Sequence, residues 1–365
     1  MKPTIIPLCA LACALSFTAC SQPQATGRTA GDPVPAKPAW EAANPVVPLP
    51  EIPLGVSKTY KDLPQPPTPE RVRLGRWLFY DTRLSADGRI ACSTCHRPEH
   101  AFSEPTAHST GIGAQEGGRK APPIVNLAWT LYPHFFWDGR AASLEEQALG
   151  PIANPIEMGN THQAMIATLV KIKGYAPYFA EAFGSEEITQ DRVAHAIADY
   201  ERTLLSGNSP WDRWRVNKDD AAVSAQVKQG HELFFGKAGC NQCHLGDSLT
   251  DSNFHNIGIG WNAKTRTFKD EGRSVISKNP DHRGAFKTPG LRDVALHAPY
   301  MHDGSMATLL ETVQHYTKGG HANPNLDPKI QKLALTPADE QALVAFMEAL
   351  TGESPRQSAP AAFPE

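Results

Sequence analysis

The sequence predicts a mainly α-helical protein of two domains related by an internal repeat, with few strands. Three observations predict it. Apolar residues recur at helical spacing in segments separated by long Gly- and Pro-rich loops, while strand-like alternation is scarce. The pattern Cys-x-x-Cys-His occurs twice, as Cys92-Ser93-Thr94-Cys95-His96 and as Cys240-Asn241-Gln242-Cys243-His244. Around these patterns the chain repeats itself: Trp137-Asp138-Gly139-Arg140 through Leu144 answers His302-Asp303-Gly304-Ser305 through Leu309 at an offset of 165 residues.

Two thiols at this spacing can add to the vinyl groups of a porphyrin while the adjacent imidazole swings under the iron. Half of a zinc site and a redox-active dithiol compete for the same residues. Two copies, with no other cysteine in the body of the chain, point instead to two covalent c-type haems. Cys92, Cys95, Cys240 and Cys243 would attach them, and His96 and His244 would ligate the irons. Each half is then one cytochrome c-like unit, in which the haem itself serves as the hydrophobic core.

Taken in order, residues 1–20 have the layout of an export signal, with Lys2, an apolar run from Ile5 to Phe17, and small residues before Cys20. The run is too short to span a membrane. Cys20 stands where a bacterial lipoprotein would be lipidated, so the expected location is the periplasm, either lipid-anchored through Cys20 or simply secreted. Residues 21–69 carry 12 prolines and suit an extended tether. Residues 70–207 form the expected first domain, with helices over Arg71–Tyr80, from Leu144 after Ser143 as N-cap, and over Thr189–Leu205. The seam falls near residues 208–222. Residues 208–352 form the expected second domain, with helices over Val223–Phe235 and from Pro337 through Leu350. Residues 353–365 are expected to be a disordered tail. The 35 basic and 38 acidic side chains leave a net charge of -3 without a polybasic run, which argues against nucleic acid as a partner.

The offset makes the two haems unequal. Pro151 and Tyr316 occupy equivalent positions, reached along the helix that follows Ser143-Leu144 and Thr308-Leu309. If that position overlooks the distal face of the iron, the second haem has a phenol oxygen available and the first has no ligand from the chain. His315, Met301 and Met306 compete with Tyr316 for the second iron, and His108 is the histidine that could close the first. An iron with an empty face binds small molecules, whereas one held on both sides mainly passes electrons. Gln147 and Glu157 lie near Pro151 in the sequence. Glu157, in Asn154-Pro155-Ile156-Glu157-Met158-Gly159, is the candidate acid–base group for peroxide cleavage, its bland alternative being an exposed loop carboxylate.

Several motifs together resemble the bacterial di-haem cytochrome c peroxidase family: Gly117-Gly118-Arg119, Phe136-Trp137-Asp138-Gly139-Arg140, Glu146-Gln147-Ala148-Leu149-Gly150-Pro151, Glu157-Met158-Gly159, Phe286-Lys287-Thr288-Pro289 and Ala298-Pro299-Tyr300-Met301-His302-Asp303-Gly304. The resemblance implies a peroxide-binding first haem, an electron-transfer second haem, Trp137 between them, and Gln147 and Glu157 in the distal pocket. Ordinary family members carry a histidine between the two glycines after the first motif and a methionine on the second haem; here Ile112 and Tyr316 stand in those places. Both departures resemble the MauG-like branch, which keeps its first haem open, uses the tyrosine to stabilise high-valent iron, and oxidises tryptophan or tyrosine residues of a partner protein. The family's interdomain calcium is held by an asparagine and backbone carbonyls. Lys120 occupies the asparagine's place, beside the candidate carbonyls of His297 and Pro299, and an ammonium group repels calcium.

The expected activity is therefore that of an oxidoreductase with hydrogen peroxide as acceptor. Electrons come from a small c-type cytochrome or from aromatic residues of a protein substrate. A non-enzymatic di-haem electron carrier is the alternative.

Overall fold

Ahead of the first haem motif the chain forms a short helix, α1 (Ala39–Ala43), and then α2 (Pro69–Tyr80). Thr68 Oγ1 accepts the Arg71 N–H at 3.3 Å, and Pro69 presets the backbone of the first turn, so the helix starts there. The motif itself makes one turn, α3 (Cys92–Cys95). It is followed by α4 (Leu144–Ala153), α5 (His162–Lys171), α6 (Ala176–Phe183) and α7 (Gln190–Arg202). The second half contains α8 (Pro210–Asn217), α9 (Ala225–Phe235), α10 (Ser274–Ser277), α11 (Leu309–Thr317) and α12 (Pro337–Glu348). Two small antiparallel ladders complete it. β1 (Phe254–Asn256) pairs with β4 (Ala285–Lys287), placing His255 opposite Phe286, and β2 (Trp261–Asn262) pairs with β3 (Thr267–Phe268). This computed structural model describes residues 38–130, 132–353 and 357–365; the leader with Cys20 lies outside them. Among the described residues, no helix is long and apolar enough to cross a membrane.

The internal repeat is visible in how the helices meet. Leu74, Trp77, Leu78 and Phe79 of α2 pack in one core with Val193, Ile197 and Tyr200 of α7; Phe234 of α9 packs in a second core with Leu343 and Phe346 of α12. At each crossing a glycine lets the backbones touch. A Cβ on Gly75 would overlap the Ala196 carbonyl, and one on Gly230 would overlap the Ala342 carbonyl. Gly75→Ala is therefore expected to destabilise the fold by about 1–3 kcal/mol through overpacking, although alanine is the better helix former by about 1 kcal/mol. A lower urea midpoint with an unchanged m-value would show it.

The offset also holds in detail. Phe135 bridges to Ala141 as Tyr300 bridges to Met306. Ser143 Oγ caps α4 by accepting the Glu146 N–H, and Thr308 Oγ1 caps α11 by accepting the Glu311 N–H, both at 3.1 Å. These matched caps start both helices at the same point, which is what makes Pro151 and Tyr316 comparable.

Two expectations need correction. The Pro-rich stretch is not a free tether from residue 38 onward. Asn44 Nδ2 donates to the Arg73 carbonyl at 2.9 Å, the Trp40 indole donates to the Tyr178 hydroxyl at 3.0 Å, and Arg292 donates to the Gly55 carbonyl at 3.1 Å. The segment lacks a core of its own and is held by hydrogen bonds exchanged with both halves, donating from Asn44 and Trp40 and accepting from Arg292. The tail is likewise ordered over residues 357–365. Trp77 donates to the Ala362 carbonyl, Tyr80 to Gln357, and Phe363 packs against the first core. The physical reason is that the buried indole and phenol of α2 need acceptors, and the tail's carbonyls provide them. Within the seam, Ser209 and Asp212 form a capping box that starts α8.

Candidate active site

Three cavities meet at Trp137. The first is lined by Cys92, Cys95, His96, Gln147, Pro151 and Glu157 together with Glu201, so every residue predicted for the peroxide site converges there. His96 Nδ1–H donates to the Phe102 carbonyl at 3.1 Å. A carbonyl can only accept, so this bond assigns the tautomer and leaves the Nε2 lone pair for a metal. Burial holds the imidazole below its ordinary pKa, keeping the ring neutral as a ligand must be. Cys92 and Cys95 form no disulfide, and burial pushes both thiols up, Cys95 to about 11.

Pro151 sits inside α4, where its ring removes the backbone bond to the Gln147 carbonyl and offers no side-chain donor or ligand. Just beyond the helix, Glu157 Oε1 accepts from Asn154 Nδ2 at 2.7 Å. Burial raises the Glu157 pKa, while Arg140 and the Asn154 amide pull it back. The loop from His108 to Gly113 closes over this turn: Ile112 N–H donates to the Glu157 carbonyl at 2.8 Å, and a Cβ on Gly111 would overlap the Ile156 carbonyl. His108 is not among the residues lining the cavity.

The second cavity is lined by Cys240, Cys243, His244, Met301 and Tyr316. His244 Nδ1–H donates to the Leu249 carbonyl at 2.9 Å, repeating the arrangement of His96. Desolvation again lowers the imidazole pKa. Burial, helped by the two thiols, pushes the Tyr316 phenol well above its ordinary value. His315 turns away, its Nε2 meeting the Ile257 carbonyl at 2.9 Å, and neither it nor Met306 lines the cavity. His255 does line it, but Asp327 at Nδ1 (2.5 Å) and Asp251 at Nε2 (2.8 Å) occupy both ring nitrogens. This also accounts for the cluster of Cys243, Asp251 and His255 as an ion-pair network beside an attachment cysteine rather than a metal site.

Trp137 is 8% exposed and lines both of these cavities and the third between the halves. Its indole N–H donates to the Lys120 carbonyl at 2.8 Å, and its own carbonyl accepts the Lys287 N–H at 2.8 Å. The halves are further joined by Arg119, which pairs with Asp138 and with Asp270 of the second half, each at 2.6 Å. Trp137 is thus held through its indole by the first half and through its backbone by the second.

These residues fit covalently attached haem: each cavity is lined by paired free thiols and by an imidazole whose Nδ1–H is engaged and whose Nε2 is left for a metal. They do not fit calcium. Lys120 is 3% exposed, and its ammonium group donates to the Glu104 carbonyl, placing a cation where calcium would need six to eight oxygen ligands.

Sequence reasoning missed Glu201 and Arg140 as cavity residues and Lys287 as a residue shared by the second and third cavities. A signal existed for Glu201: it follows Val193 and Ile197 at four-residue steps, on the buried face of α7. Arg140 and Lys287 carried no such signal.

A family model described as di-haem cytochrome c peroxidase matches residues 69–221. Over 289 residues the chain is 42% identical to the methylamine utilization protein MauG of Methylorubrum extorquens, an alignment covering 79% of this chain and 80% of that one. The chain belongs to the di-haem cytochrome c peroxidase family. This di-haem peroxidase is also 37% identical to the cytochrome c551 peroxidase of Nitrosomonas europaea, over 80% of its own length and 82% of the relative's. The crystal structure of a MauG-like protein associated with microbial copper homeostasis matches it with a TM-score of 0.74 at 32% identity, covering 87% of this chain and 97% of that one. As a family member it is an oxidoreductase with c-type haem cofactors, and its fold is mainly α with few strands.

Proposed function

We propose that hydrogen peroxide is reduced in the cavity lined by His96, that electrons pass through the cavity lined by His244, and that Tyr316 would supply an oxygen ligand to the iron held there, as in the MauG-like branch. The observation that carries this is the matched pair on α4 and α11: a proline in the first cavity and a phenol in the second, at one repeat position.

Bound haem supplies the electron-transfer and peroxide-binding chemistry. The chain's own residues do the rest. With Pro151 in the cavity wall and Ile112 in the loop beside it, an iron held by His96 would meet no competing ligand from these two positions. Glu157 takes a proton from one peroxide oxygen and returns it to the other, which leaves as water; two electrons and two further protons complete the reduction of peroxide to two waters. Gln147 orients the bound molecule through its amide. Trp137, held rigidly between the cavities, connects them for electron transfer. The donor is a small c-type cytochrome or the tryptophan and tyrosine side chains of a partner protein. Export by the leader places the enzyme in the periplasm, with lipidation of Cys20 as its attachment to the membrane.

The test is the resting ferric protein and its response to peroxide without donor. One high-spin and one low-spin haem, followed by a long-lived oxidised state shared between them, is the expected result. Two low-spin signals would remove the open site and leave an electron carrier. A requirement for prior reduction would identify an ordinary peroxidase.

A further inference from the structure

The wall of the first cavity holds a second carboxyl group that the peroxide reaction does not use. Glu201, on α7, is 3% exposed and lines the cavity with Cys92 and His96. Its Oε2 is fully buried without a hydrogen-bond partner, and among the described residues neither carboxyl oxygen has one. A carboxylate so placed is costly, because nothing offsets its desolvation. A neutral carboxyl is tolerated far better.

The charged groups around it do not alter this. Arg202, its neighbour on α7, is committed to Glu145 of α4 at 2.7 Å and to Asp199 at 2.9 Å. Two carboxylates therefore already draw on that guanidinium. Tyr200 is the adjacent phenol and Cys92 the nearest thiol, which becomes an uncharged thioether once haem is attached. Across the cavity, Arg140 is paired with Asp138 at 3.0 Å, Lys120 is held by the Glu104 carbonyl, and Arg119 is shared by Asp138 and Asp270; Glu157 is the other carboxyl. Burial pushes Glu201 up to about 8, with Arg202 opposing and Glu145 adding to the rise.

We infer that Glu201 is a proton-coupled redox group: it takes up one proton from solvent for each electron accepted at the haem above His96, and releases it when that electron leaves. The electron comes from the donor through the second haem. Iron(III) becomes iron(II), and the carboxylate becomes a carboxylic acid. The sign follows from charge. Reduction removes a positive charge from the cavity and so favours the neutral acid, whereas oxidation restores it and favours the carboxylate. The group thereby keeps the cavity's net charge constant and couples the reduction potential to pH. The inference requires haem over His96 but not the peroxide mechanism.

Redox titration of the whole di-haem protein between pH 6 and 10, following the two haems separately, tests it. In the wild-type protein the potential of the first haem is expected to fall with rising pH over a window near pH 8, approaching about 59 mV per pH unit, a tenfold change in equilibrium constant for one electron. Glu201→Gln, which keeps the shape of the side chain, is expected to flatten that slope, while Glu157→Gln retains it. Infrared difference spectra of the wild-type protein supply a readout that does not depend on the variant folding: a protonated carboxyl band should appear on reduction near pH 8. A pH-independent first haem, a slope that survives Glu201→Gln, a slope lost only in Glu157→Gln, or no carboxyl band overturns the inference.

Discussion

Glu157→Gln is expected to slow the reaction with peroxide by about 10²–10⁴-fold, measured by stopped-flow mixing with the resting enzyme. That is about 3–5 kcal/mol of barrier. The substitution is nearly isosteric, and the amide oxygen can still accept from Asn154 Nδ2, so the turn over the cavity should persist. What it removes is the ability to take a proton and return it. A pH dependence should accompany the loss. Burial raises the Glu157 pKa, and the group must be ionised to accept the first proton. The rate is therefore expected to rise with pH through that raised value in the wild-type enzyme, with this limb missing in the variant. Unchanged reactivity in Glu157→Gln would end the acid–base assignment and return Glu157 to a structural role.

Tyr316→Phe should convert the second haem from low spin to high spin, a complete change in one of the two haem signals and the largest spectroscopic effect expected of any single substitution here. Among the described residues the phenol has no hydrogen-bond partner, so removing its oxygen breaks no hydrogen bond within the chain. Burial keeps the free phenol protonated, and a metal charge is what would hold it as phenolate. Met301 is the rival, because it also lines the cavity, whereas His315 is turned to the Ile257 carbonyl. An unchanged spectrum in Tyr316→Phe would pass the ligand to Met301. Tyr316→Met should restore a low-spin haem with a higher reduction potential, since thioether ligation favours the reduced iron.

Much of this molecule is legible before folding is considered, for specific reasons. Cys-x-x-Cys-His is a covalent requirement, so its chemistry is written in five consecutive residues. Helices α2, α4, α7, α9 and α12 were expected from apolar spacing and from their caps, which are local features. Helices α5 and α6 were not, and neither was the capping box of α8. The strap over residues 38–68 and the tail over 357–365 were misjudged because their order comes from donors elsewhere, such as the Trp77 indole and the Arg292 guanidinium. Composition alone cannot show that a distant side chain will satisfy a proline-rich backbone.

By itself the sequence determined the two attachment motifs, the mainly helical character and the repeat that sets Pro151 against Tyr316, because each depends on residues close together or on a constant offset. Only the tertiary structure decided which side chains share a cavity. It brought Gln147, Pro151 and Glu157 into one cavity with His96, turned His315 to the Ile257 carbonyl, placed Trp137 in the walls of all three cavities, and left the Glu201 carboxyl buried without a partner. The physical reason is that burial and hydrogen-bond satisfaction belong to the packed whole: Gly75 lets α2 pack closely against α7 at Ala196 and Tyr200, on the helix that carries Glu201.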